Sequence, residues 1–150
     1  MSDKPTVIDL FCGIGGFSKG FEMAGFEVLF GIDNWEVAID TFKNNHNDTE
    51  GILADLTELG DEFFSQYEDK VDVIIAGPPC QGFSMCGKRE VGDKRNELFN
   101  EVVRAVKIIK PKIVIIENVV GLLSMKNVDG DNVKDVIKRE FNEIGYQVEH

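Results

Sequence analysis

The sequence predicts an α/β fold, a doubly wound and mainly parallel sheet with helices on both faces. Apolar runs of strand length alternate with segments of helical period, glycines or prolines separate many of these segments, and acidic residues stand at the ends of several apolar runs. Strands that alternate with helices pair in parallel through right-handed crossovers. Such a sheet binds its ligands at the carboxyl ends of its strands.

The first half of the chain supplies three strands and three helices. Residues 6–10, 27–32 and 51–54 are apolar runs of strand length. A helix of about 16–24 follows the first strand and ends at Gly25. A second helix covers 35 to about 43, and a weaker one covers 61–67.

The second half begins with a strand at 71–76 and continues with a glycine-containing loop of 18 residues, 78–95. Loops of this length in a compact domain are typically functional lids or mobile segments. A helix follows at 96–109, with apolar residues at helical spacing, and Pro111 ends it. A strand at 113–116 and a helix at 131–144 come next, and residues 146–148 begin a sixth strand.

Bulk properties indicate one globular domain without metal or membrane. The 150 residues are 43% apolar and 29% charged, and no apolar run is long enough to span a bilayer. The polar residues 1–6 offer no signal-peptide core, so a cytoplasmic location with free thiols is expected. Cys12, Cys80 and Cys86, with His46 and His150, are too few and too scattered for a structural zinc site.

The net charge of −11 argues against a whole surface that binds nucleic acid. A local basic cluster, Lys88, Arg89, Lys94 and Arg95, follows the turn at Cys80. This cluster can contact phosphates, or it can be a solvated loop, and charge alone leaves both interpretations open.

The turn after the first strand, residues 9–18, has three glycines in four residues, Gly13, Gly15 and Gly16. It departs from the G-x-G-x-x-G dinucleotide pattern, because Ser18 stands at the third position. Asp9 would repel a pyrophosphate but suits a cationic group, and Asp33 stands where a carboxylate commonly binds ribose. Together with Asp55, these strand-end carboxylates suit S-adenosylmethionine, although helix capping explains any one of them.

Cys80 follows Pro78 and Pro79, which cannot continue the strand at 71–76. A stiff turn over the carboxyl edge places its thiol as a nucleophile would be placed, while the alternative is a small buried apolar residue. Glu117 ends the next strand, and burial there would raise the pKa of its carboxyl and help it to hold or donate a proton. The alternative for Glu117 is a cap of the following turn.

These residues resemble the N-terminal part of a cytosine-C5 DNA methyltransferase. The likeness rests on residues 9–16, 77–84, 94–99, 117–119 and 121–123, in the family's order and spacing. It implies a Rossmann-like S-adenosylmethionine-dependent methyltransferase fold, truncated before its C-terminal strands. Residues 1–150 would form the cofactor-binding and catalytic part, without a target-recognition domain. Such enzymes are associated with restriction–modification.

The resemblance implies that Cys80 adds to C6 of a flipped cytosine in DNA, that Glu117 engages N3, and that C5 takes the methyl group of S-adenosylmethionine. No metal is implied. The loop 82–95 would close over the base. The implied cofactor-binding residues are Asp9, Phe11, Gly13, Gly15, Asp33, Asn34, Asp55, Leu56, Pro79 and Leu98. The implied nucleic-acid-binding residues are Ser84, Lys88, Arg89, Lys94 and Arg95.

Members of this family are longer than 150 residues. They carry an arginine-containing element for the cytosine, a target-recognition domain and a returning C-terminal segment, so we expect either a fragment or a second polypeptide that supplies them. Three alternatives stay open: an RNA (tRNA) cytosine methyltransferase, a non-catalytic cofactor-binding half, and an NAD-dependent oxidoreductase. Ser18 and Asp9 disfavour the last.

Overall fold

The computed structural model describes residues 4–79, 97–118 and 132–149. The strands are β1 (Thr6–Leu10), β2 (Glu27–Asp33), β3 (Glu50–Leu53), β4 (Val73–Ala76) and β5 (Ile113–Ile116). The helices are α1 (Gly16–Met23), α2 (Glu36–Asn45), α3 (Asp61–Ser65), α4 (Glu97–Ile109) and α5 (Val133–Glu143), and a short 3₁₀ helix covers Leu56–Glu58.

The strands form one parallel sheet in the order β3-β2-β1-β4-β5. The chain builds outward from β1 to β3 and then returns to place β4 on the other side of β1. The order of strands therefore reverses between β1 and β4, and ligands of open α/β sheets bind at this kind of crevice. The predicted parallel α/β architecture is confirmed.

Helices cover both faces of the sheet. Successive strand residues point to opposite faces, so each strand contributes apolar side chains to two separate cores. On one face, Val7 and Ile75 pack against the phenylalanines of α1. On the opposite face, Ile8 and Ile74 join a larger core with residues of α3, α4 and α5. Asp9 has the same parity as Val7, so the α1 face is the one that carries the buried carboxylate.

The predicted sixth strand at 146–148 is wrong, since residues 146–149 form no strand. The Tyr146 amide donates instead to Phe141 O at the end of α5, and its hydroxyl donates to Pro111 O at 2.5 Å. These two hydrogen bonds of Tyr146 hold the segment, in place of the backbone hydrogen bonds that would join it to a neighbouring strand. Among the described residues β5 is therefore the outermost strand on this side of the sheet, and a groove of about 1150 Å³ runs between it and α5.

Candidate functional site

Three strand ends meet around one cavity at the carboxyl edge of the sheet. The cavity is about 360 Å³ and is lined by Asp9, Phe11, Cys12, Phe17, Gly77 and Glu117. The amide of Gly77 donates to Leu10 O at 3.1 Å and that of Glu117 donates to Ala76 O at 2.9 Å, so the ladder aligns the residues after β4 and β5. The predicted adjacency of these two strand ends is confirmed.

Glu117 is exposed at the mouth of this cavity. A Cβ added at Gly77 would lie 3.6 Å from Glu117 Oε2, so the carboxylate stands over the end of β4. The described residues leave this glutamate exposed, which differs from the burial that the sequence led us to expect.

The glycine turn, residues 11–16, is a sharply bent backbone tied to β2. Phe11, Gly13 and Gly15 have φ values of 60°, 53° and 89°. The amide of Gly13 donates to Asp33 Oδ2 at 2.9 Å, and that of Cys12 donates to Ile32 O at 2.9 Å. A left-handed phenylalanine costs roughly 1–2 kcal/mol, and backbone strain of this kind clusters at ligand sites.

Asp9 is 1% exposed and borders the cavity from β1. Burial raises the pKa of its carboxyl to about 7, against the lowering effect of the 2.6 Å hydrogen bond donated by Ser18 Oγ. Ser18, which the sequence showed only as a departure from a glycine pattern, is fully buried and serves as the partner of Asp9. A buried carboxyl of raised pKa is suited to receive a cationic ligand group, since a positive charge favours its ionised form.

Asp33 is the last residue of β2, and Asp55 lies just beyond β3 and caps the 3₁₀ helix. Asp33 Oδ1 accepts the Trp35 amide at 3.0 Å, and Asp55 Oδ1 accepts the Thr57 amide at 2.9 Å. Hydrogen bonds from Thr57, with a smaller one from the side chain of Asn34, hold the pKa of Asp55 below its usual value. These contacts orient both carboxylates and leave each of them further lone pairs for a ligand.

Sequence reasoning missed an apolar rim around these carboxylates. Trp35, Ile14 and Leu53 are 62%, 56% and 50% exposed, and all three lie at the carboxyl edge beside Asp33. Exposed large apolar side chains beside oriented polar groups are typical of ligand sites. Trp35 offers a flat ring for stacking on a planar ligand group.

Other predicted cofactor residues lie in different surroundings. Leu56 is 2% exposed and packs in the core, so only its backbone can face a ligand. Leu98 is half-buried in the first turn of α4, and Pro79 is exposed. Arg104, also missed from the sequence, donates to Leu56 O and Leu59 O and so fixes the turn after β3. The ligand roles of Leu56, Leu98 and Pro79 stay predictions.

The predicted nucleophile and the predicted nucleic-acid contacts lie outside the described residues. They are Cys80, Ser84, Lys88, Arg89, Lys94 and Arg95. Within the described residues, Cys12 is buried, and burial together with the charges of Asp9 and Asp33 raises the pKa of its thiol strongly. Cys12 therefore stays protonated and is a poor nucleophile.

In residues 4–79, 97–118 and 132–149, no cluster of three or more His, Cys, Asp or Glu residues could hold a metal ion. None of the helices in those ranges combines the length and apolar character that crossing a membrane requires.

Comparison with known proteins identifies relatives along almost the whole chain. A model of the C-5 cytosine-specific DNA methylase family matches residues 5–150. Type II methyltransferase M.DdeI of Desulfomicrobium norvegicum is 45% identical over 143 residues, which cover 95% of this chain and 34% of that protein. Type II methyltransferase M1.HphI of Haemophilus parahaemolyticus is 42% identical over 148 residues, which cover 95% of this chain and 39% of that protein.

A solved structure shares the fold. It is a protein of an E. coli prophage described as a DNA modification methyltransferase, and it superposes with a TM-score of 0.75 at 30% identity. The match covers 93% of this chain and 38% of that one. The chain thus spans between 34% and 39% of the length of these three relatives.

Proposed function

Because the chain belongs to the C-5 cytosine-specific DNA methylase family, we propose that it binds S-adenosylmethionine and transfers the methyl group to C5 of cytosine in DNA. One observation carries the proposal. Asp9, Phe11, Gly77 and Glu117 converge on a single cavity at the switch point of the sheet. A buried carboxyl, a bent glycine turn and a second carboxylate are what a cationic cofactor and a base would need there.

The donor set fits the cofactor. Asp9 faces the cavity with a carboxyl whose pKa of about 7 falls when a cation arrives, so it suits the sulfonium. Asp33 and Asp55 offer oriented oxygens to the ribose hydroxyls and to the adenine amino group, and Trp35 offers a stacking face. Gly13 and Gly15 let the ligand approach the backbone closely. When bound, S-adenosylmethionine supplies the electrophilic methyl group.

The reaction on the base is assigned to Cys80 and Glu117. Cys80 directly follows Pro79, so its thiolate would be delivered near the end of β4 and add to C6 of a cytosine flipped out of the duplex. Glu117 would hold a proton at N3, which draws electron density from the ring and favours addition of the thiolate at C6. That addition makes C5 nucleophilic. After C5 is methylated, loss of its proton and elimination of Cys80 release 5-methylcytosine and the free thiol. Ser84, Lys88, Arg89, Lys94 and Arg95 would contact the DNA.

Target selection is assigned to polypeptide beyond these 150 residues. The matched segment is 34% of one relative and 39% of another, so most of their length has no counterpart in this chain. We propose that this additional length, in the same or a second polypeptide, holds the DNA and completes the cofactor site.

Cofactor binding tests the first part of the proposal. S-adenosylmethionine should bind in calorimetry and change the fluorescence of Trp35, the sole tryptophan, while NAD should do neither. Asp33→Ala should raise the dissociation constant by an amount that corresponds to the loss of a charged hydrogen bond, on the order of 1.5–3 kcal/mol.

The matched control is Asp40→Ala, which removes an exposed carboxylate of α2 and should leave binding unchanged. Binding of NAD without S-adenosylmethionine would refute the cofactor assignment. An unchanged dissociation constant in a folded Asp33→Ala variant would remove Asp33 from the ribose site.

A further inference from the structure

His46 ends α2 with an imidazole that is almost fully enclosed. Its side chain is 1% exposed and stacks on Phe42, with ring centroids 4.3 Å apart at an interplanar angle of 24°. Nδ1 lies 2.6 Å from Glu22 Oε1, and Nε2 lies 3.1 Å from the carbonyl oxygen of Gly15. The ring therefore bridges α1 and the glycine turn.

Both partners of the ring accept hydrogen bonds. A backbone carbonyl has no proton to donate, and Glu22 also faces Lys19 Nζ at 2.9 Å and Thr49 Oγ1 at 3.2 Å. Although partial burial opposes it, the hydrogen bonds from His46 and Lys19 lower the pKa of Glu22, so this carboxyl is ionised at neutral pH. A ring that carries hydrogen on both nitrogens, the imidazolium, would donate to both of these acceptors at once.

The carbonyl oxygen of Gly15, which His46 Nε2 contacts, is also part of the first turn of α1. Gly15 is the N-cap of α1, and its carbonyl also accepts the first helical hydrogen bond, from the Lys19 amide at 2.9 Å. A Cβ at Gly15 would lie 2.2 Å from His46 Nε2, so the ring lies directly against the turn and requires glycine there. In the described part of the chain the ring interacts with two charged groups, Glu22 on α1 and Asp9 on β1, and Lys19 pairs with the same Glu22 carboxylate.

We propose that His46 is a positioning residue that, as an imidazolium held by Glu22, fixes the glycine turn in the conformation that receives the cofactor. The role toward the cofactor rests on the function proposed above, whereas the ion-paired latch on Gly15 stands on its own geometry. A histidine that merely fills the core would have no need of two protonated nitrogens or of a carboxylate partner on a second helix.

The test changes Glu22 and leaves the His46 ring in place, so it distinguishes the ion-paired role of the ring from its packing in the core. With ¹⁵N-labelled histidine, both ring nitrogens of His46 should resonate as imidazolium at neutral pH, and His46→Gln identifies the signals, since His150 is the only other histidine. Glu22→Ala should shift these signals toward a neutral ring. It should also speed hydrogen exchange at the amides of Gly13 and Gly15, and raise the dissociation constant for S-adenosylmethionine, each by about tenfold.

Two variants control the experiment. Glu22→Gln keeps an acceptor without the charge and should recover part of all three effects. Lys19→Ala removes the exposed partner of the same carboxylate and should leave all three readouts near wild type.

A neutral His46 ring in the wild-type chain would overturn the proposal. So would a neutral ring in Glu22→Ala with unchanged exchange at Gly13 and Gly15. If the wild-type chain does not bind S-adenosylmethionine, the proposed function fails, while the ring signals and amide exchange still decide the latch.

Discussion

Asp9 places a carboxyl that is 1% exposed beside a cavity, with Ser18 as its hydrogen-bond donor. In the unfolded chain this group ionises near its ordinary pKa of 3.8, whereas in the folded protein burial raises the pKa to about 7. The folded state therefore binds the extra proton between these values. The contribution of Asp9 to stability is complete below about pH 4 and is lost as the pH rises to about 7.

Asp9→Asn should remove the loss of stability that ionising the buried Asp9 carboxyl causes at high pH. The amide keeps an oxygen for Ser18 but cannot ionise, so the free energy of unfolding should exceed that of the wild type at pH 8 by on the order of 2–4 kcal/mol. Near pH 4 the two proteins should be close to equal. Urea denaturation at both pH values measures the difference.

The same substitution should act on ligand choice in the opposite direction. Without the carboxylate, the preference for S-adenosylmethionine over its demethylated product should fall, because only the former carries a sulfonium. A gap in stability that is the same at pH 4 and pH 8 would contradict the raised pKa of Asp9.

The sequence predicts the acidic residues of the site but not their partners. Asp9, Asp33, Asp55 and Glu117 are recognisable because each stands at or just beyond the end of an apolar run. Ser18 and His46 are not, since their roles arise only when the helices pack. His46 is 24 residues from Glu22 and 31 from Gly15, and no local pattern connects positions so far apart.

At the scale of elements, the described residues bury only one face of β5. Val114 and Ile116 pack against the main core, but Ile113 and Ile115, on the α1 face, are 54% and 40% exposed. Their partners in register on β4, Val73 and Ile75, are buried. An edge strand with an exposed apolar face favours association with other polypeptide.

Ile113→Thr combined with Ile115→Thr should reduce self-association of the chain with little loss of stability, because threonine keeps the β-branched shape and these side chains are already solvated. Light scattering at increasing concentration and thermal unfolding measure the two effects. Ile75→Thr is the matched control at the same height of the sheet, and it should cost on the order of 2–4 kcal/mol through lost packing and a buried hydroxyl. Equal thermal losses at both sites would contradict this account of β5.

The helices and strands are well predicted where the apolar residues follow a regular period and the segment has a neighbouring element to pack against. All five strands occur at their predicted places, with ends displaced by at most two residues. The run at 146–148 forms no strand, because Tyr146 bonds to Phe141 O and Pro111 O, and no local sequence pattern reveals such contacts. The 3₁₀ helix Leu56–Glu58 was missed because three residues capped by Asp55 have no periodicity.

At the scale of the whole molecule, the proposed function assigns the chemistry to this chain and target selection to other polypeptide. The 150 residues carry a net charge of −11, which repels phosphates. The relatives devote most of their length to other segments. The sequence predicts this division only through the resemblance, because the composition and periodicity of these 150 residues carry no information about segments outside them.

We therefore expect the isolated 150 residues to show little or no methyl transfer, and expect a second polypeptide with the remaining length of a family member to restore it. Addition to cytosine requires the base to be held within attack distance of the sulfur of Cys80, and a displacement of ~1 Å can cost ~100-fold in rate. Transfer of labelled methyl groups to DNA, with tRNA as the competing substrate, measures the restored activity. Transfer to tRNA alone would assign the substrate to RNA.

Restored activity should vanish in Cys80→Ser, since a hydroxyl is a far weaker nucleophile than a partly ionised thiol. Cys12→Ser should retain much of it, because the strongly raised pKa of the buried Cys12 thiol keeps that group protonated. Cys86→Ser should do likewise. A 5-fluorocytosine oligonucleotide should form a covalent adduct that maps to Cys80 in the complemented complex only. An adduct on Cys86, or activity in Cys80→Ser, would show that the nucleophile has been assigned to the wrong cysteine.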